Sequence, residues 1–433
     1  MTRSAPRGTR ALPLTMLLAF LSSAHAQAPS GAELAWLPAE PQVRQVLAQS
    51  PQVREAVAGI AAADARARRL QIGPYEWQAR AALDRRDARA EDRRFLEQEI
   101  GLERTLRWPG KVDADARLGD TTTRVARLAR ADAWHEAART LLADWTDAVR
   151  EARAAQVLAA QAALVEQQLG AVDKRIRAGE AARMERLAVQ AEQARASAAA
   201  TQAQGRAVLL ARMLAVRYPG LRGAELADTL PLPPETAAPA GDAVRRILDD
   251  NHELELAEAQ AVLARQQAER TALNRRADPT VGVRATRERG GQEKVLGVFV
   301  TVPLGQAGRQ ADTARALAEA DQADQRLQQT RRRVEAEAQR VAQAAQDAQL
   351  NWRQMEAARQ HTQASADLQA RAWRLGESPL IEVLQARRLA QEATLAAETA
   401  RIDALAAQAR LLLDQHRLWA AEEEDEPAPA PRP

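Results

Sequence analysis

The chain has 433 residues, with 61 lysines and arginines against 58 aspartates and glutamates, no cysteine, and 3% aromatic side chains. The missing cysteine excludes disulfides, thiolate metal sites, cysteine nucleophiles and a lipid-bearing cysteine, and the near balance of charge argues against nucleic acid, which calls for a basic patch. Hydrophobic content is carried mostly by alanine, a strong helix former, so the composition suits long, closely packed helices better than large-residue globular cores.

Arg3, Arg7 and Arg10 precede a short apolar stretch, 11–21, and then Ala24-His25-Ala26. A basic start, a short apolar region and an A-x-A site make a secretory signal peptide over 1–26, with the mature chain starting at Gln27. Eleven residues fall short of the ~20 a membrane helix needs. Loss of those three arginines leaves 58 groups of each sign. No later apolar run reaches the ~18 residues of a spanning helix. An exported chain without one is periplasmic, secreted, or an outer-membrane barrel.

The first structural repeat is expected over 41–216. A helix from Pro41 restarts at Ser50-Pro51, an N-cap followed by an N1 proline, and stops at Gly73-Pro74. Tyr75, Trp77, Ala79 and Ala81 then alternate with Glu76, Gln78 and Arg80, which predicts a strand. The charged run 85–94 reads as a loop. Beyond it Leu96, Ile100, Leu102, Leu106 and Trp108 alternate with Glu97, Glu99 and Glu103, closing a β-hairpin over 75–108 before Pro109-Gly110. From Lys111 to Lys174 there is no proline, and a helix of that length spans roughly 90–100 Å. Gly179 breaks it at a tip, 177–181, and a helix returns over 183–216. Pro219, Pro231, Pro233, Pro234 and Pro239 mark a linker, 217–240.

The second repeat, 241–420, follows the same plan. A helix over 241–276 is ended by Asp278-Pro279. A hairpin over 280–303 carries Val281, Val283, Leu296, Val298 and Val300 on alternate positions around a Gly290-Gly291 turn. A long helix then runs to a tip at 374–378, and a last helix continues from Pro379 to Trp419. The acidic, proline-rich stretch 421–433 reads as a disordered tail.

The two repeats align by number. Arg177, Gly179, Glu180, Glu185 and Leu187 stand 197 positions before Arg374, Gly376, Glu377, Glu382 and Leu384. A period near 200 is too long for a solenoid unit and signifies a duplicated helix–hairpin–helix module. Its hairpin strands have the length of tilted outer-membrane strands, yet four strands cannot close a barrel, which starts at about eight. Several chains must therefore pool them.

On these features the chain resembles the TolC-type outer-membrane efflux factors: the duplication, a hairpin at the same place in each copy, and the paired Arg-x-Gly-Glu breaks carry the likeness. The strand-to-helix transitions Leu106-Arg107-Trp108-Pro109-Gly110-Lys111 and Val302-Pro303-Leu304-Gly305 are similar to those of the heavy-metal efflux (CzcC-like) branch. The resemblance implies a mainly α fold of long helical hairpins forming a helical barrel, with a small transmembrane β part. It implies a homotrimer whose three chains make a 12-stranded barrel in outer-membrane lipid of a Gram-negative cell, continuing as a tunnel into the periplasm. It places docking of a periplasmic adaptor (membrane-fusion) protein at Arg177, Gly179 and Glu180 and at Arg374, Gly376 and Glu377. It places a tunnel constriction at Glu382, whose first-copy equivalent is Glu185; the next carboxylate position of the pattern is occupied here by Gln385. The implied role is a passive duct serving an inner-membrane pump of the resistance–nodulation–division (RND) class, exporting heavy-metal cations. Export of organic compounds is the alternative, and a periplasmic adaptor or an exported structural coiled coil are the rival readings.

No catalytic, cofactor or metal residue is expected. His135, His252, His361 and His416 are isolated in sequence, without the His-Glu-x-x-His spacing of a helical zinc site, and His135 and His252, each followed by a glutamate, read as polar helix positions. Neither a phosphate loop nor a nucleophile elbow occurs.

Overall fold

A computed structural model describes residues 34–221, 230–235 and 239–421. The signal peptide, the tail from 422 onward and parts of the linker lie outside the described residues. In chain order the elements are α1 (Glu40–Gln49), α2 (Pro51–Ile72), β1 (Gln78–Ala88), β2 (Arg93–Thr105), α3 (Pro109–Arg177) and α4 (Arg183–Arg217). The second repeat supplies α5 (Ala240–Asp249), α6 (His252–Leu273), β3 (Thr280–Glu288), β4 (Glu293–Thr301), α7 (Ala307–Leu375) and α8 (Leu380–Asp414). Both repeats build helices of 10, 22, 69 and 35 residues in that order. At 1.5 Å per residue each 69-residue helix is about 104 Å long. No described helix is long and apolar enough to cross a membrane.

The molecule is mainly α, with one antiparallel sheet in the order β1-β2-β3-β4. Each hairpin pairs within itself, and β2 pairs with β3, so the two repeats meet at the centre of the sheet. The largest core lies at mid-length of the helices. Val43, Leu47, Trp134, Leu141, Trp145, Leu405 and Leu413 are buried there together. Along α7 the buried positions are largely alanine, which lets that long helix approach its neighbours closely with little side-chain bulk.

Three sequence expectations need correction. The run 85–94 is not all loop: β1 continues to Ala88 and β2 begins at Arg93, leaving a short turn that ends on Asp92 at φ 50°. The charged residues keep the two-residue alternation and pair across the strands, Arg86 with Glu97 at 3.2 Å and Arg94 with Asp87 at 3.4 Å. The helix expected over 241–276 is two helices. Asn251 caps α6 by accepting the Leu254 N–H at 2.9 Å, as Ser50 caps α2, and no proline announces this second break. The last helix stops at Asp414 rather than Trp419. His416 and Trp419 take φ of 53° and 52°, turning the chain back so that Leu418 and Trp419 join the core; the Trp134 indole donates to the Trp419 carbonyl at 2.9 Å.

Candidate functional site

The sheet has two chemically distinct faces. Register sets Ile100 opposite Ala81 and Ala285, Leu102 opposite Ala79 and Val283, and Val283 opposite Val298. With Leu83, Leu296 and Val300 these form one apolar face open to the surroundings, Leu296 and Val298 being 83% and 80% exposed. Arg85, Arg104, Arg287 and Lys294 border it. The other face carries Arg80, Asp84, Glu97, Glu99, Glu103 and Arg284, of which the three glutamates on β2 are half-buried. An apolar outer band and a polar inner face in strict alternation are what a membrane barrel strand requires. Within the chain β1 and β4 each have a strand on one side only, which leaves their outer backbone N–H and C=O groups as a template for pairing with another chain.

Of the aromatic residues in and beside the strands, Trp77 and Trp108 are exposed at the root of the sheet. The others are engaged otherwise. Phe95 is buried at the hairpin tips beneath the guanidinium groups of Arg93 and Arg289, 5.4 and 5.8 Å from its ring centre. An Arg289–Glu91 ion pair links the two tips. Phe299, on the inner face, lies over Gly282; a Cβ on that glycine would come within 2.3 Å of the ring.

Beneath the strands a network of buried polar groups ties both repeats to the helices. Lys111 is 2% exposed. Its Nζ donates to Asp278 Oδ1 at 2.9 Å and to the Arg276 carbonyl at 2.8 Å. The Tyr75 hydroxyl donates to Asp278 Oδ2 at 2.9 Å. Arg107 donates to Asp115 at 2.7 Å and to the Leu70 and Gln71 carbonyls that end α2, and Arg270 donates to Asp115 at 2.5 Å. Sequence reasoning took Asp278 as an element boundary and Lys111 as a helix start within the 106–111 transition, and foresaw no contact between them. Their one visible signal was position: a lysine next to a strand-stopping Pro-Gly, and an aspartate before the proline that opens the other hairpin.

At the opposite end of the long helices the two expected tips come together. Each is a left-handed glycine turn with the same hydrogen bonds: Gly179 (φ 79°) to Ile176 O and Glu180 to Arg175 O, Gly376 (φ 82°) to Trp373 O and Glu377 to Ala372 O. This is the Schellman motif, which a Cβ would strain. Nothing crowds either glycine, so backbone conformation alone selects it. Val165 and Val172 of α3, Val189 of α4 and Leu380 and Leu384 of α8 pack into one cluster behind the tips, with Trp373 against it. Arg175 stacks on the Trp373 ring at 4.8 Å and pairs loosely with Glu180, 3.8 Å away.

Arg177, Arg374, Glu180 and Glu377 are exposed around this end. Met184, Leu187, Leu375 and Ile381, three of which the sequence reading did not single out, are exposed there as well. Glu382 and Gln385 are both exposed on α8, and the Ser378 hydroxyl donates to Glu382 at 3.0 Å. The repeats are not equivalent here: Glu185 is half-buried, and Leu187 is exposed where its counterpart Leu384 is buried.

The histidines were expected to be isolated, yet three of the four in the described residues converge. The His135 and His416 ring centres are 5.0 Å apart, and those of His252 and His416 are 4.4 Å apart. They come from α3, the start of α6 and the segment after α8, so no local spacing could have revealed them. Among the described residues no group of histidine and acidic side chains is arranged to hold a metal ion.

Long helical hairpins rooted under a small antiparallel sheet, with the strands left open at both edges, are the fold of the outer-membrane channels. No protein-family model matches the sequence and no curated protein does either; the likeness is in the structure. The CmeC outer-membrane channel of Campylobacter jejuni superposes with a TM-score of 0.74 at 12% identity, over 97% of this chain and 96% of that one. The outer-membrane protein VceC of Vibrio cholerae gives 0.72 at 17% identity, over 90% and 99%. The open state of the MtrE outer-membrane channel of Neisseria gonorrhoeae gives 0.69 at 14%, over 87% and 88%.

Proposed function

We propose that the protein is the outer-membrane exit duct of a tripartite efflux system. Three copies pool their strands into a 12-stranded barrel in outer-membrane lipid, and the paired helices continue as a tunnel through the periplasm. The observation that carries this reading is the sheet: an apolar face bounded by arginine and lysine, a charged face behind it, and two edges with no partner in the chain. The tips at Gly179 and Gly376 are the surface for a periplasmic adaptor protein, where exposed arginines and glutamates surround a few exposed apolar side chains. Glu382 lines the constriction those tips control, with Gln385 leaving it a single carboxylate deep on α8. Passage is passive, and the driving energy comes from an inner-membrane RND pump reached through the adaptor. Metal cations are the proposed cargo, supported by the strand-end sequences 106–111 and 302–305 and by the carboxylate at the constriction, which favours cations by its field.

Labelling from outside the cell tests the topology. The hairpin turns should face the exterior, because the other ends of all four strands lead into periplasmic helices. A cysteine at Ala90, exposed and in a chain without other cysteines, should react with an impermeant thiol reagent on intact cells. Gly291 is a poor site, since a Cβ there would meet the Arg287 guanidinium at 2.5 Å. Protein that fractionates with the outer membrane yet leaves residue 90 unlabelled would reverse the orientation; a soluble periplasmic monomer would end the channel reading.

A further inference from the structure

The three converging histidines lie where the chain finishes its fold. Past the end of α8 the backbone turns back through His416 and Trp419, both in the left-handed region. The segment is held by the buried side chains of Leu418 and Trp419, by the Trp134 indole on the Trp419 carbonyl, and by the ring of His416 against those of His135 and His252. His416 Nδ1 is 3.2 Å from an Asp250 carboxylate oxygen, and His135 Nε2 is 3.2 Å from Asp414 Oδ1. His252 Nδ1 is buried with no hydrogen bond, a Glu255 oxygen lying 3.9 Å away, beyond hydrogen-bonding distance.

We propose that His135, His252 and His416 form a proton-operated latch: neutral, they pack and hold residues 415–421 against α3 and the α5–α6 junction, and protonated, they repel one another and release that segment. The inference is independent of the channel reading, although a protein facing the medium meets its acidity directly.

The charges around the cluster set the pH window. On α3 stand Asp132, Glu136 and Arg139; at the α5–α6 junction stand Asp250, Glu253 and Glu255. From α7 come Arg333, Glu337 and Arg340, and from α8 Arg410 and Asp414. An open groove of about 660 Å³, lined by Asp132, Arg139, Glu253, Arg410 and Asp414 among others, reaches Asp414, the partner of His135. Arg139 and Arg410 already compensate Asp414, donating to it at 3.0 and 2.9 Å. Although burial raises its pKa, the His135 hydrogen bond and these two arginines bring it down to about 2. Asp414 therefore stays ionised throughout the range in which His135 and His416 titrate.

Burial first, and then the charge of His252 and His135, push His416 down from 6.5 to about 4, against the opposing pull of Asp250. Burial also lowers His135. A depressed histidine pKa means that the closed state favours the neutral ring. The stabilisation is complete above pH 6.5 and is lost as pH falls from 6.5 toward 4. With those two values, His416 alone makes opening about tenfold more favourable at pH 5.5 than at pH 7.5.

Hydrogen exchange followed by mass spectrometry on the full-length protein in detergent tests this, reading amides 415–421 after correction for the pH dependence of intrinsic exchange. The wild type should open about tenfold more at pH 5.5 than at pH 7.5. His416→Asn, which suits a left-handed backbone position, should lose most of that step. His361→Gln, remote on α7, should keep it, and His252→Gln serves as the second cluster variant should His416→Asn not fold. A wild type with no pH step, or a step retained in full by the folded cluster variants, would overturn the latch. So would a step reproduced at pH 7.5 by a chelator, because the bond released would then be to a metal ion.

Discussion

Removing the Lys111 ammonium should destabilise the junction between sheet and helices more than any surface change. Its side chain is 3% exposed and that of its partner Asp278 is 6% exposed, at 2.9 Å. Lys111→Met deletes the charge but preserves much of the apolar stem. Asp278 is then left ionised or forced to protonate, with only the Tyr75 hydroxyl and the Trp108 N–H donating to it. Breaking one side of a buried pair costs about 3–5 kcal/mol, whereas replacing both sides can be nearly neutral. Urea unfolding of the detergent-solubilised protein should therefore show a loss of about 3 kcal/mol or more for Lys111→Met. The double variant Lys111→Met/Asp278→Asn should recover at least about 2 kcal/mol of that loss, since Asn removes the stranded charge. A single variant costing less than about 1 kcal/mol, or a double variant as unstable as the sum of the singles, would refute the idea that this pair locks the repeats together.

Gly282→Ala drives a methyl into the Phe299 ring and close to Glu103 Cβ, 2.9 Å away; it should cost about 1–3 kcal/mol as overpacking does, and Phe299→Ala in the same chain should relieve it in the same unfolding assay. Gly376→Val must hold a β-branched residue at φ 82°, costing roughly 1–3 kcal/mol locally. Cross-linking to the adaptor and export should fall while barrel assembly persists, and Gly376→Asn should behave nearly as wild type. Glu382→Gln should leave adaptor cross-linking intact and reduce cation preference in single-channel conductance; unchanged selectivity would make Glu382 an ordinary solvated helix position.

Much of this architecture could be read from the chain because proline, glycine and alternation sit at its joints. Pro51, Pro109 and Pro279 open elements, and Gly179 and Gly376 close them with left-handed backbone that few other residues adopt. The 197-residue offset found in sequence reappears as two identical turns. The break before Asn251 left weaker traces, since an asparagine cap is chemically ordinary in a polar helix. The end of α8 was misjudged because burial of Leu418 and Trp419, a tertiary effect, bends the chain where local propensity would continue the helix. Long-range chemistry was invisible for the same reason. Lys111 meets Asp278 across 167 positions, and three histidines from separate elements share one site with no spacing to betray them. Glu185 and Glu382 align perfectly, yet differ in exposure because the repeats pack against different neighbours.

The central claim is that three chains close one barrel through the free edges β1 and β4, and disulfide trapping tests it most directly. Inside one chain these strands are separated by β2 and β3, about 14 Å at the usual strand spacing, far beyond the ~4.4–6.8 Å a disulfide spans between Cα atoms. In this cysteine-free chain, Val298→Cys on β4 can be combined in turn with Ala79→Cys, Ala81→Cys and Leu83→Cys on β1 to sample the register. Oxidation of the membrane-inserted protein, followed by detergent extraction, should give, in at least one combination, covalent species that end at three chains. Protein that remains monomeric in every combination, or a ladder that continues past three, would contradict the trimeric barrel.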